Sequence, residues 1–439
     1  MGLDIIIVGA GIAGLACARA LREKHNVKVI EQSGLKAELG AAIHLGPNAS
    51  RLILPWGVDL NESPRTRILR EFDSQMEEIH STEIDAEKTF GAPWLLNHRV
   101  TLHKELLRVA TMQNSTISGK PAEILTGKPV ISIDTENATI KMKDGSELKA
   151  DLIIGADGIK SVVRPFVVGN NFSAKPSNHS AYRCLISAEK IRNDEQLSFL
   201  LKQTGVTIFL GEDRRVVAYS CVYKGEELVN IVATVPDKDL DYISEESWNS
   251  PATVGQLMSS FKTFAEPIQR LLSHATNVSS WQLRDQDPLT DWVKDRVIIV
   301  GDAAHPMLPH MGQGGSQAIE DADMLQFVLK DLETGCSSLE INKALKRAFN
   351  LRWDRASMCQ ETSRAQALGP RAEGESKVQA VNPFKFSQIL YTYMGAEDWA
   401  KKQESESAEK SPSLIDQAQA IALKFLPLQS QNVLTATAE

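Results

Sequence analysis

The stretch that most constrains this chain is its opening, Asp4-Ile-Ile-Ile-Val8 followed by Gly9-Ala-Gly11-Ile-Ala-Gly14-Leu15. A short run rich in β-branched residues reads as a buried strand. It breaks at Gly9, and Ile12 to Arg22 has the composition of a helix. Gly9 permits the tight turn, Gly11 lets backbone approach a diphosphate, and Gly14 lets the helix lie against the strand. The helix N-terminus then offers unpaired N–H groups and a positive dipole end to that diphosphate. Glu31 closes the next strand, where a carboxylate accepts hydrogen bonds from the hydroxyls of an adenosine ribose. The pattern predicts a site for an ADP moiety and leaves FAD and NAD equally open.

A chain of 439 residues has length for two or three domains. Its formal charge of −8 argues against a nucleic-acid partner. No apolar run approaches the ~18 residues that span a bilayer, so no membrane partner is expected. The opening lacks a basic n-region and its glycines belong to the turn, so it is not read as a signal peptide. Cys17, Cys184, Cys221, Cys336 and Cys359 are scattered, which suits a reducing, cytoplasmic setting and provides no zinc pattern. No metal site is expected.

Glu38 to Asn48 carries two more glycines and a proline before turning helical, and reads either as a surface loop or as a loop along a cofactor. Arg99 precedes an expected helix, Lys104 to Met112, with Thr101 as its N-cap. Arg99 is either a solvated surface residue or a bidentate phosphate ligand. Residues 129 to 150 alternate as strands around a turn at Lys143-Asp144-Gly145-Ser146. Leu152 to Asp157-Gly158 and Arg296 to Gly301-Asp302 each repeat the strand-then-glycine design. Between them, Thr207–Leu210, Arg215–Tyr223 and Leu228–Val235 alternate with period two, predicting an inserted antiparallel sheet. A helical stretch places Leu257, Phe261, Phe264, Ile268 and Leu272 on one face. Helices are expected from Gln317 to about Leu332 and from Leu339 to about Ala367. A polar linker is expected over Lys401 to Pro412, and a closing helix over 414 to 428.

Three strand-end motifs at Gly9, Gly155 and Gly301 converge if their strands share one sheet. The chain then resembles the single-component (group A) FAD-dependent aromatic hydroxylases, in the salicylate-hydroxylase-like branch with the p-hydroxybenzoate hydroxylase fold. The resemblance runs from Asp4 to about Ala367. It implies an α/β fold: an FAD/NAD(P)-binding Rossmann-like domain with an inserted antiparallel-sheet substrate domain and C-terminal helices. The boundaries expected are 1–175 and 281–369 for the FAD-binding domain, 176–280 for the substrate domain and 370–439 for a helical extension. It also implies non-covalent FAD, with NAD(P)H as cosubstrate and O2 as oxidant.

By the same resemblance, Gly9, Gly11, Gly14, Glu31 and Gln32 hold the ADP part, and Ala42 and Arg99 contact the flavin. Asp157 lies in the motif shared with the nicotinamide nucleotide, and Asp302 holds the ribityl chain. Pro309, Gly312, Gln313, Gly314 and Gly315 line the ring. Where the family often has Asn after Gly-Gln-Gly-Ala, this chain has Gly315-Ser316-Gln317. Tyr182 and Arg183 open the inserted domain and are the catalytic candidates. Arg183 either orients a carboxylate or phenolate or is a structural ion pair. His44, His305 and His310 either relay protons or hydrogen-bond to backbone.

The expected reaction is hydroxylation or epoxidation of an electron-rich aromatic small molecule through a C4a-hydroperoxyflavin, by a monomer or homodimer. A flavin reductase or oxidase on the same fold, or a non-catalytic flavin protein, is the alternative. No W-x-W-x-I-P halogenase signature and no second G-x-G-x-x-G is present.

Overall fold

A computed structural model describes residues 1–35, 41–113, 117–170, 172–240, 249–367 and 388–409. In chain order the strands are β1 Asp4–Val8, β2 Asn26–Ile30, β3 Ala42–Leu45, β4 Ile68–Asp73, β5 Glu78–Glu83, β6 Leu95–His98, β7 Glu123–Leu125, β8 Val130–Asp134, β9 Thr139–Met142 and β10 Glu147–Lys149. They continue as β11 Leu152–Gly155, β12 Lys175–Ser187, β13 Gly205–Leu210, β14 Arg215–Tyr223, β15 Glu226–Pro236, β16 Asn249–Pro251, β17 Thr276–Asp285, β18 Val293–Lys294 and β19 Val297–Ile299. The longer helices that frame the site are α1 Ile12–Leu21, α2 Pro47–Ile53, α3 Arg99–Thr111, α4 Val254–Ser260, α5 Glu266–Ser273, α6 Gly314–Leu329, α7 Ser338–Ala367 and α8 Ala396–Glu409.

Among the described residues, a six-stranded sheet runs β18-β19-β11-β1-β2-β7 and an eight-stranded sheet runs β16-β17-β12-β15-β14-β13-β4-β5. The first is parallel except at β18, and its strands are nearly continuous apolar runs because helices cover it. Val8 pairs with Gly155 and Gly155 with Ile299, so all three glycine turns leave the sheet at one edge. That is the end at which open α/β sheets present ligands. Helices α1, α3 and α6 pack together beside it. The eight-stranded sheet buries its other face against α4 and α5, where Phe209, Phe261 and Ile268 are sealed from solvent.

Several local expectations are corrected. Ala42–Leu45 is not a loop but a strand, paired antiparallel to β6 from Ala42↔His98 to Leu45↔Leu95; Glu38 and Gly40 lie outside the described residues. Helix α3 starts at Arg99 with His98 as its N-cap, so Thr101 sits inside the first turn. The stretch through Leu257 and Leu272 is two helices, because Pro267 opens a new one at its first turn. Helix α6 begins at Gly314, three residues before the expected start.

The linker expected from Lys401 is helical through Glu409, since Ala, Glu, Lys and Gln are good helix formers and Trp399 and Ala400 are buried beneath. Residues 414 to 428 lie outside the described residues. The eight-stranded sheet also recruits β4 and β5 from outside 176–280, with β4 parallel to β13.

Candidate functional site

The first glycine turn is built as its spacing requires. Gly9 has φ of +104°, and a Cβ there would lie 2.5 Å from the Ala156 carbonyl oxygen. A Cβ on Gly14 would lie 1.9 Å from the Gly9 carbonyl oxygen, so only glycine allows α1 this close to the strand. At Gly11 a Cβ would meet nothing within 4 Å, because that side faces open space. Glu31 does not wait with free oxygens. Its carboxylate accepts from the Ala10 N–H at 2.8 Å and the Ser33 N–H at 2.7 Å, which fixes the turn.

A cavity of about 380 Å³ extends from Gly11 across the gap between the two large sheets. Two helix N-termini border it, α1 and α6, and neither carries a side-chain cap. Uncapped N–H groups at a cavity wall are an anion site in the ordinary electrostatic sense. Asp302 is exposed to the same cavity, and its carboxylate makes no hydrogen bond or ion pair among the described residues. Its backbone is held firmly, because Arg164 donates to the Asp302 carbonyl at 2.8 Å and to that of Ala303 at 2.7 Å.

The opposite wall is one face of the eight-stranded sheet. A continuous cross-strand row reads His80, Glu71, Ile208, Val217, Val232, Arg183. Every member lines the cavity, as do Tyr219 and Arg215 on the same face of β14. The Arg183 guanidinium lies 5.5 Å from the Trp281 ring centroid, and its Nε has no hydrogen-bond partner. Burial, with Arg99 nearby, lowers its pKa from the ordinary value while Tyr219 opposes the shift. Burial raises the Tyr219 phenol, so it stays protonated.

His44 is pushed down to about 4 by burial, so its imidazole is neutral at pH 7. The Trp94 indole N–H donates to its Nδ1 at 3.1 Å, which leaves the proton on Nε2. Burial, with Arg215 and His179 adding to it, pushes His310 down to about 3. The backbone partner expected for each histidine is therefore not what holds His44 or His305. His305 Nε2 lies 2.7 Å from the Asp321 carboxylate instead.

Of the residues singled out by the sequence, Gly11, Ala42, Arg99, Arg183, Asp302, Pro309, Gly312, Gly314 and Gly315 border the cavity. Tyr182 does not, which corrects its pairing with Arg183. Neighbours on a strand point to opposite faces, and Tyr182 is buried among the α4 and α5 side chains with its hydroxyl 3.5 Å from Ser260. Asp157 is spent locally: it accepts from Ser161 Oγ at 2.5 Å and from the Val162 and Val163 N–H groups. Gln313 turns inward and accepts from Asn48 at 3.1 Å. Gln32 is exposed beyond the end of β2.

Behind α6 lies a buried charged network that the sequence did not reveal. Arg352 reaches Glu320 and, at 2.9 Å, Asp321. Arg355 donates to both oxygens of Glu320 at 2.8 Å. Asp321 also accepts from the Gly301 N–H at 2.9 Å, tying this network to the turn that carries Asp302. Tyr219 was missed too; alternation along β14 shows that it shares a face with Val217 but not what that face meets. Among the described residues no His, Cys, Asp or Glu cluster could hold a metal, and no helix is long and apolar enough to cross a membrane.

A family model described as FAD binding domain matches residues 2–341. A hispidin-3-hydroxylase from Neonothopanus nambi is 32% identical over 392 residues, covering 85% of this chain and 90% of the relative. A 6-hydroxynicotinate 3-monooxygenase from Pseudomonas fluorescens is 30% identical, covering 82% and 90%. A solved salicylate hydroxylase substrate complex superposes with a TM-score of 0.70 at 27% identity, covering 94% of this chain and 99% of that one.

Proposed function

We propose, on the premise that the chain belongs to the FAD binding domain family of flavoprotein monooxygenases, that it hydroxylates an electron-rich aromatic small molecule. The balanced reaction is ArH + O2 + NAD(P)H + H⁺ giving ArOH + H2O + NAD(P)⁺. FAD, when bound, would supply the redox chemistry between the nicotinamide and O2.

The residues present fit that group. The open side of Gly11 and the uncapped start of α1 would take its diphosphate, and the free carboxylate of Asp302 would take the ribityl hydroxyls. The uncapped start of α6 would hold negative charge on the ring. Glu31, already shared between two backbone N–H groups, has lone pairs left for ribose. For domains, we take 1–175 with 281–369 as the cofactor half and 176–280 as the core of the substrate half, with β4 and β5 added to the latter.

The observation that carries the reading is the pairing of Arg183 and Tyr219 on one cavity wall with Asp302 and the α6 N-terminus on the other. Arg183 would favour the phenolate or carboxylate form of a substrate in a water-poor pocket. The protonated Tyr219 hydroxyl would donate to the same oxygen. Neutral His44 would donate from Nε2 at the cavity edge.

Coupling is the test. The purified holoprotein should oxidise NADH or NADPH faster with a suitable phenol present and release hydroxylated product. Arg183→Ala should keep its flavin but convert nucleotide oxidation into hydrogen peroxide, lowering product per nucleotide by at least about tenfold. Unchanged coupling in that variant would remove Arg183 from the mechanism. No hydroxylation across a panel of phenols and aromatic acids would refute the oxygenase reading.

A further inference from the structure

One cross-strand row on the cavity wall formed by the eight-stranded sheet is charged at Glu71 and at Arg183 and apolar between them, with Arg215 and Tyr219 flanking it on β14. Glu71, Ile208, Val217, Val232 and Arg183 stand opposite one another on successive strands in a single row. From the strand of Glu71 to that of Arg183 there are four inter-strand steps of about 4.8 Å, so the two backbones lie roughly 19 Å apart. One benzoate-sized ring held by Arg183 cannot reach both ends.

Two further charged groups border the cavity away from Arg183, Glu71 at the end of the row and Arg215 on β14, two strands in from it. The Glu71 carboxylate makes no hydrogen bond or ion pair among the described residues, although it is half-buried and borders the cavity. Arg215, on the same face two residues before Val217, is anchored by one donor to the Gln366 carbonyl. Burial raises the Glu71 carboxyl, while its cross-strand neighbour His80 and then Arg215 oppose the shift, neither closing a salt bridge to it among the described residues. Two opposite charges that face one cavity without pairing leave room for a group between them. An anion there would be repelled by Glu71, and a cation by Arg215. A neutral hydroxyl satisfies both, donating to the carboxylate and accepting from the guanidinium.

We propose that Glu71 and Arg215 form a second recognition subsite for the terminal hydroxyl of an elongated substrate whose reacting ring lies at the Arg183 end, the apolar row between them contacting its linker. This rests on the oxygenase reading above and adds to it the class of substrate: a long aromatic molecule with an uncharged hydroxyl at its far end.

The test uses the FAD-loaded full chain and phenols differing only at the far end of a para substituent. One carries a hexyl chain ending in a hydroxyl, its isostere ends in a methyl, and para-methylphenol serves as the ring alone. Dissociation constants are read from the change in flavin absorbance, and product is measured alongside.

Wild-type protein should bind the hydroxyl-terminated phenol about 10- to 100-fold more tightly than its isostere, the range for hydrogen bonds to charged groups. Glu71→Leu and Arg215→Leu should each bring that ratio towards one. Glu71→Gln, which keeps an acceptor, should retain part of it, a rescue that a general loosening of the sheet would not give. Flavin content reports whether each variant has folded.

Equal affinity for the two long phenols, or a preference that survives both leucine variants, would overturn the subsite. Binding and hydroxylation of para-methylphenol with exclusion of both long compounds would overturn it too, and leave the oxygenase reading standing. Failure of the wild type to bind or hydroxylate any of the three would count against both.

Discussion

A Cβ on Gly312 would fall 1.7 Å from Nε2 of His44, at a residue whose φ is +59°. Gly11, which also borders the cavity, has room for a Cβ and an ordinary φ of −74°. The two glycines therefore predict opposite phenotypes. Gly312→Ala should destabilise the protein by about 1–2 kcal/mol from the left-handed backbone alone, and displace His44 besides. Gly11→Val should leave apoprotein stability within about 0.5 kcal/mol, the scale for substitutions away from packed features. It should nevertheless yield a colourless protein, because the valine would occupy the position proposed for the diphosphate. Urea denaturation of the apoproteins, with FAD titration by fluorescence, separates the two. A Gly11→Val protein that holds FAD normally would show that the diphosphate lies elsewhere.

Helix α6 has two functions at the level of the element. Its bare N-terminus faces the cavity, while Glu320 and Asp321, one to two turns on, hold it to α7 through Arg352 and Arg355. Burial alone would raise both carboxyls. Arg355 and Arg352 around Glu320, and His305 and Arg352 around Asp321, hold them below the usual carboxylate range instead. Arg352→Met should cost about 3–5 kcal/mol, since it removes one cationic partner from each of two buried carboxylates, leaving Glu320 with Arg355 and Asp321 with His305. Depressed folded-state values mean that the network's contribution is present above the unfolded carboxyl values near 4 and is lost as pH falls below them. The stability gap between wild type and Arg352→Met should therefore shrink from pH 5 to pH 3. A gap that stayed constant, measured by urea denaturation, would mean that these groups do not titrate with folding.

For the whole molecule, α8 is seated on α6 through Asp323. Its carboxylate accepts from the Ala396 N–H at 2.7 Å and the Tyr393 hydroxyl at 3.1 Å. Burial pushes this carboxyl up to about 6, with Glu320 adding and the two hydrogen bonds and Arg352 opposing. An unfolded Asp titrates near 3.9, so between about pH 4 and 6 the folded state holds a proton that the unfolded state lacks. Stability then falls as pH rises through that window and levels off above it. Relative to Asp323→Asn, which cannot titrate, the wild type should lose at most about 3 kcal/mol between pH 4 and pH 7. A flat difference would show that Asp323 is ionised throughout. The sign is opposite to that of Glu320 and Asp321, so the two effects are separable in one pH series.

The glycine turns at Gly9, Gly155 and Gly301 were legible in the sequence because each is local. A strand, a turn and a helix start are specified within a dozen residues by backbone sterics, and those sterics imply an ADP site wherever the chain is placed. The alternation in β13, β14 and β15 likewise showed that two faces exist. Which face meets the cavity depends on strands far away in the chain, so Tyr182 and Arg183 were both named as candidates although only Arg183 borders the cavity. Glu71 joined the site only because β4 pairs in parallel with β13, across more than a hundred residues. The same holds for Arg352, a charged residue in a polar helix whose burial no periodicity predicts. Local sequence thus pointed to the cofactor class and to the sheet edge at which the three glycine turns lie together. The wall opposite was decided by long-range strand pairing and by which charges the packing left buried together.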